Sequence, residues 1–97
     1  MSEFTDAFTA QMMAIDAVNT GNGFTAGHAE FMVKLQEEVG EVADAMIDGE
    51  RGALTFELAD VMITVMFYAA QNKLDLAQAI EQKNLINSRR GYRHGKG

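Results

Sequence analysis

A chain of 97 residues without cysteine has room for a single domain, residues 1–97, and excludes both disulfides and thiolate-bound zinc. Residues 1–82 carry fourteen acidic and three basic side chains, a net charge of −11, whereas residues 83–97 carry five basic side chains and no acid. The acidic body argues against binding to duplex nucleic acid. From residue 91 onward the basic end is expected to be a flexible tail.

Neither a signal peptide nor a membrane span is expected. The beginning of the chain, MSEFTDAFTAQ, has acids where a signal peptide requires lysine or arginine. The most apolar stretch, VMITVMFYAA at 61–70, is ten residues long and therefore too short to span a bilayer. With the absence of cysteine, these features predict a cytoplasmic protein that does not associate with a membrane.

Two helices are predicted in the first half of the chain. Proline is absent, and the many Ala, Met, Leu, Glu and Gln residues favour helix. The first helix is predicted over residues 3–19, ending at the loop TGNG. Thr25 is expected to cap a second helix that continues to about Asp48 and stops at Gly49.

Two further helices complete the prediction. A third is expected at about 51–72, and a fourth is expected to start at the capping residue Asp75 and to run to about Arg90. No alternation typical of strands is apparent. The sequence therefore predicts an all-α fold of the four-helix-bundle type.

Apolar residues of the second helix recur at spacings of three and four, which predicts a seam that packs against the other helices. The seam consists of Met32, Leu35, Val39, Val42 and Met46. The row that contains Glu38 and Glu41 is expected at the edge of this seam. Gly40 leaves space for a close approach by a helix or ligand. The third helix is apolar almost all round and is therefore predicted to be central and buried.

Two pairs of carboxylates interrupt these apolar helices. Glu38 and Glu41 lie three residues apart, as do Glu57 and Asp60, so the members of each pair share one face of their helix. Burying such charges is costly unless they are paired or bind a metal, and the body of the chain has few cations. Convergent carboxylates are typical ligands of hard cations, so Mg²⁺ is predicted, with Mn²⁺ as a possible substitute.

Two alternatives to a magnesium site are a solvated acidic face and a di-iron centre. A single E-x-x-E pair on a helix most often faces solvent, but here two pairs occur on consecutive helices. A di-iron carboxylate bundle requires Glu-x-x-His motifs. The two histidines, His28 and His94, instead follow Thr25 and Gly91 at that spacing, which argues against di-iron.

The motif EEVGE (37–41) followed by ELAD (57–60) resembles the MazG-type, all-α nucleoside triphosphate pyrophosphohydrolases. The form EVGE is especially similar to the deoxycytidine triphosphate pyrophosphatase branch. The segment KNLINSRRGY (83–92) is similar to the family's C-terminal K-x-x-x-N-x-R-R element, which contacts phosphates. The resemblance covers roughly residues 30–92.

The resemblance implies a four-helix fold assembled as a homodimer or homotetramer. It implies hydrolysis of a nucleoside triphosphate to the monophosphate and pyrophosphate, in the service of nucleotide-pool house-cleaning. The implied metal ligands are Glu38, Glu41, Glu57 and Asp60, and Glu41 or Glu38 is the expected acceptor of the attacking water's proton. The alternative is a non-catalytic helical oligomerisation or regulatory module that keeps a vestigial metal site.

Substrate contacts are predicted less completely. Lys83, Asn87 and Arg90 share one face of the fourth helix and are expected to bind phosphates, although cations near a helix C-terminus also favour the helix dipole. Lys34 is expected either to reach a phosphate or to pair with Glu38 or Glu30. The candidate base or ribose residues are Phe24, His28 and Tyr68, with core packing as the alternative for Tyr68 and Phe31. Thr64 stands where the deoxycytidine branch often has tyrosine, which argues against a preference for cytosine.

Overall fold

The computed structural model describes residues 2–90, which form four α-helices and no strand. The all-α prediction is therefore confirmed. The helices are α1 (Glu3–Gly21), α2 (His28–Asp48), α3 (Arg51–Gln71) and α4 (Leu76–Arg90). The predicted basic tail, residues 91–97, lies outside the described residues.

The start of α2 differs from the prediction that Thr25 caps it. The helix begins after Gly27, whose backbone N–H donates to Glu30 Oε1 over 3.1 Å. The Thr25 hydroxyl donates to the same carboxylate oxygen over 3.4 Å. Because a carboxylate inside the first turn satisfies the free N–H, the helix needs no capping hydroxyl in front of it.

The other helix boundaries follow local chemistry. Gly49 ends α2 as predicted, with a left-handed φ of 77° that glycine adopts without a steric penalty. The Glu50 side chain accepts hydrogen bonds from the backbone N–H groups of Gly52 and Ala53, which starts α3. The predicted cap of α4 is confirmed, because Asp75 Oδ1 accepts from the Gln78 N–H over 3.2 Å.

The centre of the fold is α3, as predicted. It packs along α2 and also contacts α1, while α4 packs against α1. The pair α2–α3 is antiparallel: His28 meets Tyr68 at one end, and Glu41 meets Glu57 near the other. The buried core lies between α1 and α3 and consists of Met12, Ile15, Met66, Phe67 and Ala69.

The inward face of α2 matches the predicted seam only in part: Val42 is buried and Leu35 half-buried, as expected. Its buried residues are Glu38, Val42 and Ala45, whereas Met32 and Val39 are about half exposed, at 49% and 52%. The apolar residues of α2 form two adjacent rows along the helix, and α3 packs against the row that contains Glu38, Val42 and Ala45. At Gly40, no other helix among residues 2–90 approaches within 4 Å of the position its Cβ would occupy, so the expected close approach by a neighbouring helix is not made within this chain.

The expected burial of α3 is likewise only partly met. Phe56 is 77% exposed, and Leu58 and Met62 are also exposed. By length and composition alone, this helix is long and apolar enough to cross a membrane, a property it shares with core helices of soluble bundles. Large exposed apolar surfaces are typical of sites of protein or membrane contact.

Candidate active site

Three carboxylates from α2 and α3 converge where the two helices face each other. Glu38, Glu41 and Glu57 each place one oxygen within 4.8 Å of the others. The first two are neighbours because they lie three residues apart on α2, and the antiparallel packing brings Glu57 of α3 opposite them. Three of the four predicted metal ligands therefore meet in one cluster, which we call the carboxylate cluster.

The carboxylate cluster contains acidic oxygens that have no hydrogen-bond partner. Oε1 of Glu38 and Oε1 of Glu57 are buried and accept no hydrogen bond from residues 2–90. Burial raises the pKa of Glu57 above its usual value, and the neighbouring Glu41 raises it further. Unpaired buried carboxylate oxygens are unfavourable, and a bound hard cation would satisfy them. The donor set thus fits Mg²⁺ or Mn²⁺.

Lys34 connects the carboxylate cluster to the adjacent cleft. Its Nζ lies 3.0 Å from Glu38 Oε2, so the predicted ion pair forms with Glu38. This hydrogen bond and the charge of Glu38 raise the pKa of Lys34. Glu38 therefore directs one oxygen to a lysine and leaves the other for the cluster.

Asp60, the fourth predicted ligand, occupies a different position. It is exposed and is not within 4.8 Å of all three clustered carboxylates. Instead it lines the cleft together with Glu38 and Lys34. The Thr64 hydroxyl donates to the Asp60 backbone carbonyl over 2.8 Å and therefore does not bind the Asp60 carboxylate. Asp60 thus stands where the carboxylate cluster meets the cleft.

The cleft has a volume of about 610 Å³, which is within the range of small-molecule sites. The end of α1, the α1–α2 loop, α2 and α3 form its walls. Lys34, Glu38 and Asp60 line it beside the carboxylate cluster, and Glu30 lines it at the start of α2. Most of its other residues are apolar. Those nearer the loop include Asn19, Phe24, Phe31, Ile63, Thr64 and Phe67.

Comparison of the sequence with models of known protein families identifies the family of this chain. Residues 26–90, more than half of the chain, match the MazG nucleotide pyrophosphohydrolase domain. The chain belongs to the MazG family. The matched segment contains all four predicted metal ligands and α4. Comparisons with curated proteins and with solved structures give no significant match.

Membership of the MazG family confirms the family resemblance and indicates a nucleotide pyrophosphohydrolase. Similarity to the deoxycytidine triphosphate branch remains a prediction. The metal dependence of the family agrees with the carboxylate cluster, whose residues Glu38, Glu41 and Glu57 are suitable for holding a cation.

In this MazG domain, one of the three predicted base or ribose residues lines the cleft. Phe24 does so, whereas His28 and Tyr68 do not. His28 Nδ1 and the Tyr68 hydroxyl hydrogen-bond to each other. Tyr68 also stacks on Phe31 with a centroid separation of 4.1 Å, and Phe31 does line the cleft. The pair therefore supports one wall of the cleft from behind.

The predicted phosphate-binding residues of α4 share a face but do not reach the cleft in the same chain. Lys83, Asn87 and Arg90 are exposed, and Arg90 Nη2 donates to Asn87 Oδ1 over 3.1 Å. Among residues 2–90, none from α4 lines the cleft. The helix packs against α1, so its cationic face is available to another molecule.

Several cleft residues were absent from the sequence-based candidates. Ile63 and Phe67 lie three and seven positions after Asp60, so helical periodicity from the metal motif could have identified them. Asn19 had no such signal. It reaches the cleft because α1 packs beside α3, and that packing depends on the tertiary fold.

Proposed function

We propose that this protein is a Mg²⁺-dependent hydrolase that converts nucleoside or deoxynucleoside triphosphates to the monophosphate and pyrophosphate. Removal of unwanted nucleotides from the cytoplasmic pool is the proposed role. The observation that carries the proposal is the pair of buried, unpaired oxygens of Glu38 and Glu57 facing Glu41 beside a cleft of about 610 Å³. The proposed cation site is thus built from α2 and α3, and the end of α1 and the α1–α2 loop complete the space for a nucleotide.

The metal site is proposed to comprise the carboxylate cluster and Asp60, with Mn²⁺ able to replace Mg²⁺. All the donors are carboxylate oxygens, which hard divalent cations prefer. A cation held by these residues would supply positive charge for the phosphate oxygens and a site for the water that attacks the α-phosphorus. Asp60 lies on the cleft side of the cluster, which suits a ligand shared with the substrate's phosphates.

Glu41 is the proposed proton acceptor. Glu38 is buried and directs one oxygen to Lys34, whereas Glu41 is exposed and thus accessible to water. In the proposed reaction the water oxygen bonds to the α-phosphorus while the bond to the bridging oxygen of the β-phosphate breaks. Pyrophosphate leaves with that bridging oxygen, and the water's proton passes to Glu41.

Phosphate binding is proposed to require a second copy of the chain. Lys34 lies in the cleft, but Lys83, Asn87 and Arg90 lie outside it. The exposed apolar residues of α2 and α3, such as Val39 and Phe56, supply a surface for self-association. In the proposed homodimer or homotetramer, the partner subunit contributes the cationic face of its α4 to the cleft.

The first test is pyrophosphate release from ribonucleoside and deoxynucleoside triphosphates, with Mg²⁺ and with chelator. We expect metal-dependent release by wild type and its loss in Glu38→Gln and Asp60→Asn. The matched control Glu37→Gln alters an exposed neighbour and should keep activity. A folded, metal-loaded wild type that hydrolyses no nucleotide would contradict the proposal and favour a non-catalytic helical module.

A mixing experiment tests whether α4 acts from the partner subunit. Glu38→Gln and Arg90→Ala are each expected to be inactive alone. If the two residues meet across an interface, a mixed dimer has one site with both defects and one intact site, so activity returns. If they act within one chain, every site in the mixture carries a defect and no activity returns. Lack of recovery after verified subunit exchange would therefore refute the arrangement.

A further inference from the structure

Asn19 lies at the end of the cleft that is remote from the carboxylate cluster. It belongs to the last turns of α1, is half-buried and lines the cleft. The cleft follows α2 from Glu38 to Phe31 and α3 from Asp60 to Phe67. Each interval is seven residues, or about 10.5 Å at the helical rise of 1.5 Å per residue. A nucleotide with its phosphates at the carboxylates would place its base at the Asn19 end.

The Asn19 amide is held in one orientation. Its Nδ2 donates to the Ile15 backbone carbonyl over 2.9 Å, and its own backbone carbonyl accepts from the Phe24 N–H over 3.0 Å. Within residues 2–90, the side-chain Oδ1 accepts no hydrogen bond. The amide thus retains its acceptor and one N–H for a ligand, and the residue is fixed before the ligand arrives.

The surroundings of Asn19 suit a planar, uncharged ring. Phe24, Ile63 and Phe67 contribute apolar surface to the cleft, and Phe24 is 59% exposed, so its ring is accessible for stacking. A few fixed polar groups in an otherwise apolar pocket determine which ligand binds and in which orientation. At this end of the cleft, Asn19 is such a group, whereas Oε1 of Glu30, which also lines the cleft, already accepts hydrogen bonds from the Thr25 hydroxyl and the Gly27 N–H.

We propose that Asn19 is a specificity-determining residue whose amide hydrogen-bonds the edge of the substrate's nucleobase, with Phe24 against the ring. The inference rests on the proposed nucleotide hydrolysis and extends it to base selection. An amide offers one acceptor beside one donor and therefore matches a base edge with the complementary pair. A carboxylate at this position offers only acceptors and matches the two adjacent N–H donors of guanine.

The test compares Asn19→Ala and Asn19→Asp with wild type. We would measure kcat/KM for the four deoxynucleoside triphosphates and the inhibition constant of inorganic tripolyphosphate, which has no base. Asn19→Ala should lower kcat/KM for the preferred nucleotide about tenfold, the usual scale for one lost hydrogen bond, and leave tripolyphosphate inhibition unchanged. Asn19→Asp should shift the ratio of kcat/KM values toward the guanine nucleotide.

The matched control is Asn22→Ala, which alters another asparagine at the end of α1 that does not line the cleft. It should keep the selectivity ratio. If either Asn19 variant lowers all four kcat/KM values and tripolyphosphate binding equally, or leaves the ratio unchanged, the inference is overturned while nucleotide hydrolysis stands. A wild type that hydrolyses no nucleotide overturns the proposed function, and this inference with it.

Discussion

The substitution Glu38→Gln should stabilise the metal-free protein. Glu38 is 6% exposed and lies within 4.8 Å of a Glu41 oxygen. Two unit charges at that separation repel by about 3.5 kcal/mol at an effective dielectric constant of 20 and by about 0.9 kcal/mol in bulk water. The exposure of Glu41 favours the lower value. The pair with Lys34, which is 58% exposed, contributes about 0–1 kcal/mol. We expect a net gain of up to about 1 kcal/mol, which raises Tm by at most roughly 4–8 °C.

The same substitution should remove most of the stabilisation by Mg²⁺. At a concentration one hundred times the wild-type Kd, bound metal stabilises the fold by about 2.7 kcal/mol, or roughly 10–20 °C in Tm. Even changes to groups that only support a ligand weaken metal affinity by about 10–100-fold. A variant weakened about a hundredfold would retain about 0.4 kcal/mol at that concentration.

The assay is thermal unfolding of wild type and Glu38→Gln in chelator and across a Mg²⁺ titration. Glu37→Gln serves as control, because it removes the adjacent charge from an exposed position. Its Tm in chelator and its Mg²⁺-induced rise in Tm should both stay near the wild-type values. The reasoning is refuted if Glu38→Gln lowers Tm in chelator and keeps the full Mg²⁺-induced rise. In that case the buried carboxylate would be a structural group without a part in cation binding.

Three further predictions concern neighbouring residues. Because burial and then Glu41 raise the pKa of Glu57 above its ordinary 4.5, its ionisation costs folding free energy. In chelator, the unfolding free energy of wild type relative to that of Glu57→Gln should therefore fall as pH rises from about 4.5 through the raised pKa. Urea unfolding at a series of pH values measures this difference, and a difference that does not change with pH would contradict the prediction. Lys34→Met should tighten Mg²⁺ binding up to about fivefold, because Glu38 loses its ion pair, but it should raise KM for the nucleotide. Metal titration and steady-state kinetics measure the two effects, and equal weakening of metal binding and nucleotide binding would refute the position assigned to Lys34 between Glu38 and the cleft. Glu30→Ala should cost about 1 kcal/mol in thermal unfolding because it leaves the start of α2 uncapped, whereas Thr25→Ala should cost less; the reverse order would restore Thr25 as the cap.

Helix content and boundaries follow from local chemistry and could be predicted from the sequence. The absence of proline, the glycine at 49 and the cap at Asp75 act within one turn of the chain, and all have the expected effect. The prediction at Thr25 was wrong because two acceptors compete near the start of α2. The carboxylate of Glu30 reaches the Gly27 N–H, and propensity alone does not rank the two.

The candidate metal residues were also predictable, because their chemistry depends on residue type and helical spacing. Glu38 and Glu41 meet Glu57 once the short α2–α3 connection forces antiparallel packing. The sequence did not distinguish their environments. Because α3 was expected to be buried, Glu57 and Asp60 were expected to be buried with it, yet Glu38 is the most buried of the four, and Asp60 is exposed in the cleft wall.

Only the tertiary structure decided which apolar surface each helix buries. The predicted seam of α2 contains both Val42, which is buried, and Val39, which is exposed, because a hydrophobic pattern does not say which side of the seam a neighbouring helix covers. Tertiary packing also decided which residues line the cleft. Asn19 joins residues more than forty positions away because α1 packs beside α3, and α4 stays outside because it packs on α1. Local sequence therefore determined the helices and the carboxylates, whereas long-range packing determined what surrounds them.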